Sequence, residues 1–231
     1  MDLSKPFIES DTTATWAALN KWDFDFFNNN YGETKVTVSN ADFTELYEVK
    51  ISDYINYIQN SSKEDEDKLY LRDWSFEEDC PEISNDYVEP DYCEDIFEGF
   101  DERIFPKSKW LYLGAEGTGT GLHQDLLNTH SWNSLLVGEK EWIFYSPTDT
   151  DFLYNGQVDA FNMDFEKYPL LSRANPIRIV QKEGDTVFIP SGWWHQVRNN
   201  TATIAITKNF VSRDTLEGFL LENLNLKGGE R

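Results

Sequence analysis

Between residues 110 and 210 the chain alternates short apolar runs with glycine or proline turns, a rhythm that few folds can accommodate. A strand-like run at 110–113 is followed by glycines at 114, 117, 119 and 121. Runs at 133–137 and 140–145 flank Gly138-Glu139, runs at 177–181 and 186–190 flank Lys182-Glu183-Gly184-Asp185, and 203–210 closes the series with Thr207 and Asn209 on one face. The two flanked turns read as β-hairpins, the first of which would set Asn133 and Lys140 on neighbouring strands. Many short strands closed by such turns are what a jelly-roll barrel requires. A loop with four glycines also raises phosphate binding, but it lacks the Gly-Lys-Ser/Thr ending of a P-loop and opens no helix. Its glycines are read instead as backbone passing close to a ligand.

His123 and Asp125 follow that loop. If the backbone is extended there, alternation puts both side chains on one face, where they can occupy adjacent positions on one metal ion. The chain has 3 histidines, His123, His130 and His195. His195 ends GDTVFIPSGWWH, a strand with a Pro-Ser-Gly corner that is read as returning the chain beside it. His123, Asp125 and His195 together give two histidines and one carboxylate, the ligand pattern of non-haem Fe(II) oxygenases. A lone His-x-Asp is a common accident, and a histidine behind two tryptophans is more often a hydrogen-bonded core residue; the weight lies in the combination. The same donors suit zinc, so a hydrolase stays open. His130, in LLNTHSW, reads as structural.

The segment 110–210 resembles a Jumonji-C (JmjC) domain, and the resemblance extends over residues 5–215. JmjC domains are cupin-type double-stranded β-helices that bind Fe(II) and 2-oxoglutarate. The resemblance makes His123, Asp125 and His195 the iron ligands and catalytic centre, and Lys140 the cation facing the distal carboxylate of 2-oxoglutarate. It makes Thr120, Asn133 and Thr207 polar contacts to the same cosubstrate, and Tyr70, in KLYLRDW, a hydroxyl donor. Without it, Tyr70 reads as a core aromatic and Lys140 as a lysine in a surface turn. The chemistry is consistent, because a dicarboxylate beside a 2+ ion needs a cation and several donors at its far end. The fold implied is mostly β with flanking helices, a double-stranded β-helix of the JmjC kind. The reaction implied uses Fe(II), 2-oxoglutarate and O2 to hydroxylate a protein side chain, and the nearest subgroup, the small JmjC protein lysyl hydroxylases, makes that side chain lysyl. An Nε-methyl-lysine demethylase shares the core and ranks second, since the chain shows no zinc-finger cysteine set or basic nucleosome-binding segment. From another class, a non-catalytic cupin binding a protein or sugar would need neither the triad nor the cosubstrate set.

Charge narrows the partners. With 20 basic and 42 acidic residues the formal charge is 20 − 42 = −22, which repels phosphate backbones and anionic lipid. Nucleic acid, a tRNA substrate included, and membrane are therefore not expected, whereas a basic protein or peptide substrate suits the field; solubility alone would account for the same charge. The 8 Trp, 11 Tyr and 16 Phe can fill a large core. A length of 231 residues fits one domain, divided into an N-terminal α/β cap with an acidic insert (1–109), a catalytic cupin core (110–211) and a C-terminal helix and tail (212–231). No run approaches the roughly 20 apolar residues of a membrane span, and the start lacks a signal-peptide pattern. Cys80 and Cys93 show neither CxxC spacing nor a disulfide framework. An intracellular protein, cytoplasmic or nuclear, is expected. Related JmjC enzymes assemble through longer C-terminal helices, so a monomer is expected of this tail.

The cap reads as a helix at 12–22 with Trp16, Ala18 and Leu19 on its apolar face, a turn at 28–32, and a strand at 35–38. Ile51, Tyr54, Ile55 and Ile58 make an amphipathic stripe suited to covering the barrel. Residues 77–101 are acid-rich and broken by Pro81 and Pro90. They read either as a substrate-binding insert or as an exposed loop with a short helix near 95–100. Residues 148–174 form a connection of weak regularity. Leu216, Phe219, Leu220 and Leu224 mark a last helix, ended by Gly228-Gly229.

Overall fold

The computed structural model describes residues 2–98 and 108–228. Among them the strands are β1 (Phe7–Glu9), β2 (Lys35–Ser39), β3 (Leu46–Lys50), β4 (Tyr70–Trp74), β5 (Lys109–Gly114), β6 (Gly119–His123), β7 (His130–Val137), β8 (Glu139–Tyr145), β9 (Ile177–Lys182), β10 (Thr186–Ile189), β11 (Trp194–Asn199) and β12 (Thr203–Phe210). The helices are α1 (Ala17–Lys21), α2 (Phe24–Tyr31), α3 (Ile51–Asn56), α4 (Phe76–Asp79) and α5 (Leu216–Gly228). Two sheets form, in the orders β1-β10-β7-β12-β5-β4-β2-β3 and β6-β11-β8-β9. Neighbouring strands are antiparallel. This is the mostly β, cupin-like jelly roll that the sequence implies.

Alternation along the strands decides what each face buries. On β8, Trp142 and Phe144 pack with Val187 and Ile189 of β10, between the sheets. Their neighbours Ile143 and Tyr145 point the other way, onto Leu153, Val158 and Leu171. The irregular 148–174 connection is therefore the outer cover of the smaller sheet, wound into 3-10 turns at Pro147–Phe152, Tyr154–Gly156 and Pro169–Arg173. On the larger sheet, Leu111, Leu113, Ile204 and Ile206 face outward into a cluster with Trp22, Phe27, Ile51, Tyr54, Ile55 and Phe76 of the cap. A helix as short as α3 does not hold alone in water. Burying Ile51 and Ile55, each worth about 1.5–3 kcal/mol, holds it against the sheet. The inward positions of the same sheet carry Trp110, Tyr112, Asn133 and Thr207, which line a cleft between the sheets.

Neither expected hairpin forms. β7 and β8 lie in different sheets, and so do β9 and β10, while the Pro190-Ser191-Gly192 corner carries the chain from β10 to β11 across the barrel rather than back alongside. Tight turns are present at Gly138, Gly184 and Gly192, all with positive φ, but each one passes the chain from one sheet to the facing one. Asn133 and Lys140 thus come from opposite walls. The helix expected at 12–22 shrinks to α1, because Thr13 is bound through both its amide and its hydroxyl to the Gly184 carbonyl. The asparagines at 28–30 are helical, not a turn: Asp23 caps α2 by accepting from the Phe26 amide at 2.6 Å, and Phe27 is fully buried. Of the short helix expected near 95–100, residue 95 is irregular, residues 96–98 form turns, and residues 99 and 100 fall outside the described residues.

The acidic segment is bound down. Lys109 of β5 pairs with Glu77 and Glu89 at 3.2 and 2.8 Å, and Lys208 of β12 pairs with Glu89 and Asp95 at 2.8 and 3.5 Å. Ile83, Cys80 and Cys93 are buried beneath it, both cysteines as free thiols. At least these three carboxylates answer lysines of the barrel.

Gly138 joins the two sheets at φ 92°, and a Cβ there would lie 2.2 Å from the Ala202 carbonyl oxygen. Gly138→Ala is expected to lose at least about 1–2 kcal/mol, read as a lower urea midpoint with an unchanged slope.

Candidate active site

Pairing brings the two histidines together. His195 lies opposite His123 in the β11–β6 register, their rings 4.2 Å apart between centroids. Asp125, two residues beyond β6 in extended conformation, places Oδ1 3.8 Å from His123 Nε2 and 3.7 Å from His195 Nε2. The three ligand atoms lie within 4.8 Å of one another. Those separations exceed hydrogen bonds and match donors that converge on one ion through bonds of about 2.1 Å.

Their surroundings prepare them as ligands. His123 Nδ1 contacts the Gly121 carbonyl at 2.8 Å and His195 Nδ1 the Trp193 carbonyl at 3.1 Å. A carbonyl can only accept, so each Nδ1 carries the proton and each Nε2 offers a lone pair to the centre. Burial first, and repulsion from His123 second, hold His195 down to about 4, so that it is neutral at ordinary pH. Ser131 donates to Asp125 Oδ2 at 2.6 Å, turning Oδ1 toward the imidazoles. A divalent ion fits this donor set.

Thr120, Asn133 and Thr207 line the same cleft of about 630 Å³ as the triad. The side-chain amide oxygen of Asn133 is buried without a partner, an acceptor left open to a donor. Thr207 donates its hydroxyl proton to the Trp132 carbonyl at 2.6 Å, so it meets a ligand with lone pairs unless it turns. Tyr70 and Lys140 are not part of the cleft wall. Both are fully buried, with Lys140 Nζ donating to Asn199 Oδ1 at 2.6 Å and to the Tyr70 hydroxyl at 3.2 Å. Among the described residues no carboxylate pairs with Lys140, and burial alone pushes its pKa down to about 7. A buried cation lacking a counter-charge is suited to an anion.

Ser131 and Asn199 are absent from the sequence reading. Alternation on β7 puts Ser131 on the Asn133 face, a signal that was available. Asn199 lies directly across from Lys140, and its amide donates to Thr118 Oγ1 at 2.8 Å, which leaves the carbonyl for the ammonium. No sequence pattern announces that pairing. His130 is structural: buried, it accepts from the Ser191 amide at 2.9 Å and lies 3.3 Å from Asp214.

The chain matches the cupin-like domain family over residues 1–215 and belongs to it. The resemblance to the JmjC iron- and 2-oxoglutarate-dependent oxygenases is borne out by its relatives. It is 34% identical to "Lysine-specific demethylase JMJ21" of Arabidopsis thaliana over 95% of this chain and 24% of that protein. It is 31% identical to "Bifunctional arginine demethylase and lysyl-hydroxylase psr-1" of Caenorhabditis elegans, over 91% of this chain and 56% of that one. It is also 31% identical to "2-oxoglutarate and iron-dependent oxygenase JMJD4" of Gallus gallus, over 90% and 55%. The chain thus spans from about a quarter to just over half of these relatives. No helix among the described residues is long and apolar enough to cross a membrane.

Ser131→Ala should weaken Mn(II) or Fe(II) binding by roughly 10–100-fold, as loss of a ligand's supporting hydrogen bond does, measured by calorimetry. Lys140 gives a pH signature. Its pKa is 10.5 when unfolded and about 7 when folded; between these values the unfolded chain holds a proton that the folded one has released, so stability rises with pH across that window. Urea unfolding of the ligand-free protein should show this rise, and Lys140→Met should flatten it.

Proposed function

We propose that the chain is an Fe(II)- and 2-oxoglutarate-dependent dioxygenase that hydroxylates a protein side chain, a lysyl residue in particular. The observation that carries this reading is one barrel holding both a two-histidine, one-carboxylate donor set and a buried lysine with no counter-charge. His123, Asp125 and His195 would hold the iron. Lys140, assisted by Tyr70, would take the distal carboxylate of 2-oxoglutarate, with Thr120, Asn133 and Thr207 completing the polar contacts. Iron with 2-oxoglutarate and O2 supplies the oxidising power for a C–H bond, which side chains alone do not have.

The chain's own residues bind and orient. The two Nδ1–H bonds fix the imidazole planes, and the Ser131 hydroxyl fixes the carboxylate. Burial lowers the Lys140 pKa to about 7, so an anion beside it would favour the charged form. Trp142, Ile189 and Val197 give the cleft an apolar wall that limits water near the reacting carbon.

A lysyl target is supported by the psr-1 relative, whose name includes lysyl hydroxylation, and by the net charge of −22, which favours a basic protein or peptide. Two free, buried cysteines suit a reducing compartment such as cytoplasm or nucleus. Nε-methyl-lysine demethylation is the second reading, because the JMJ21 relative is named a lysine-specific demethylase and the two reactions share a donor set. Intact-mass analysis of basic peptides incubated with Fe(II), 2-oxoglutarate and O2 separates them. Hydroxylation adds about 16 mass units to unmethylated lysine, whereas demethylation removes about 14 and releases formaldehyde. Formaldehyde from a methylated peptide, with no oxidation of the unmethylated one, reverses the ranking.

A further inference from the structure

β4 carries one residue too many for its neighbour. Tyr70 and Leu71 pair with Gly114 and Leu113 of β5, yet the next pairing is Trp74 with Leu111. Within β4 it is Asp73 that has left-handed backbone, at φ 60°. Strict alternation would put Asp73 outside with Leu71 and Trp74 inside. Instead Leu71 and Trp74 share the outer cluster, and Arg72 and Asp73 both line the cleft of the triad. Holding a non-glycine residue at this φ costs roughly 1–2 kcal/mol. Bulges beside active sites re-aim a side chain in this way.

The re-aimed carboxylate is held by a hydrogen bond rather than by an ion pair. The Tyr112 hydroxyl, from the same cleft, donates to Asp73 Oδ1 at 2.8 Å. Among the described residues no basic side chain forms an ion pair with Asp73. The neighbouring Arg72 makes no ion pair with it: Nη2 donates to Ser39 Oγ and the Asn40 carbonyl, each at 2.7 Å, and the guanidinium stacks on Phe43 at 3.7 Å, while Nε and Nη1 are buried without a hydrogen-bond partner. The one other described carboxylate of the cleft is Asp125, committed to the triad and Ser131. Asp73 is thus the cleft's acidic group left for a cation.

We propose that Asp73 sets substrate specificity by binding the side-chain ammonium of a lysyl substrate, so that the methylene carbons below the nitrogen lie toward His123, Asp125 and His195. The proposal rests on reading the site as a lysyl hydroxylase. An ammonium entering a partly apolar cleft loses water and needs a carboxylate there. Tyr112 fixes the direction in which that carboxylate faces.

Asp73→Asn isolates the charge, since asparagine tolerates left-handed backbone and its amide oxygen still accepts from Tyr112. Capped basic peptides with a central lysine, norleucine or Nε-acetyl-lysine are titrated into the protein by calorimetry, with and without Mn(II) and 2-oxoglutarate; 2-oxoglutarate affinity is measured separately. The parent protein should favour the lysyl peptide over the other two by roughly tenfold or more, as expected for a charged hydrogen bond. Asp73→Asn should erase that preference and leave 2-oxoglutarate affinity unchanged. A preference that survives in Asp73→Asn, or none in the parent, overturns the proposal. Failure of the parent to bind 2-oxoglutarate counts against the oxygenase reading instead, and the peptide preference is read independently of it.

Discussion

The antiparallel register that sets His195 of β11 opposite His123 of β6 fixes most of what this barrel can do. It depends on β8, the neighbour of β11, being buried on both faces. Trp142 and Phe144 hold it against the larger sheet, while Ile143 and Tyr145 hold the 147–174 cover. Because side chains alternate, a slip of one residue in β11 would turn His195 outward and replace it with Trp194 or Gln196. The apolar packing on either side is therefore also what keeps the donor set together.

The larger sheet contributes differently. Its outer face is tied to the cap by Leu111, Leu113, Ile204 and Ile206, which leaves the inward positions free to be polar. Ser131, Asn133 and Thr207 occupy them. A cavity wall this polar is tolerable where hydrogen bonds are satisfied, as for Thr207 with the Trp132 carbonyl, and costs free energy where they are not, as at the Asn133 amide oxygen. The acidic cap segment follows the same rule: Glu77, Glu89 and Asp95 lie against Lys109 and Lys208 and neutralise cations that the sheet would otherwise bury unpaired.

The strands and the triad were legible in the sequence because both depend on local alternation and on rare residues. His-x-Asp on an extended run and a histidine at a strand start suffice to propose a centre, and Ile51, Tyr54, Ile55 and Ile58 suffice to predict a covering helix. Sheet membership was not legible. Gly138 and Gly184 mark tight turns, but a turn between two strands reads the same whether the chain doubles back or crosses to the facing layer; the choice rests on which distant strand offers hydrogen bonds. The same limit hid Asn199 opposite Lys140, and it hid the bulge at Asp73, which is defined only by its mismatch with β5.

The sheet changes at Gly138, Gly184 and the 190–192 corner bear on how the molecule acquires its centre. Strands adjacent in sequence are repeatedly sent to opposite layers, so many pairings join distant parts of the chain, as β1 does with β10 and β6 with β11. Loop-closure entropy must be met before such contacts form, which slows folding relative to chains of local hairpins. His123 and His195 meet only when β6 and β11 pair, so partly folded forms lack the complete donor set. The three-residue cluster is thus a product of long-range pairing, and an ion that required all three ligands would distinguish the finished barrel from its precursors.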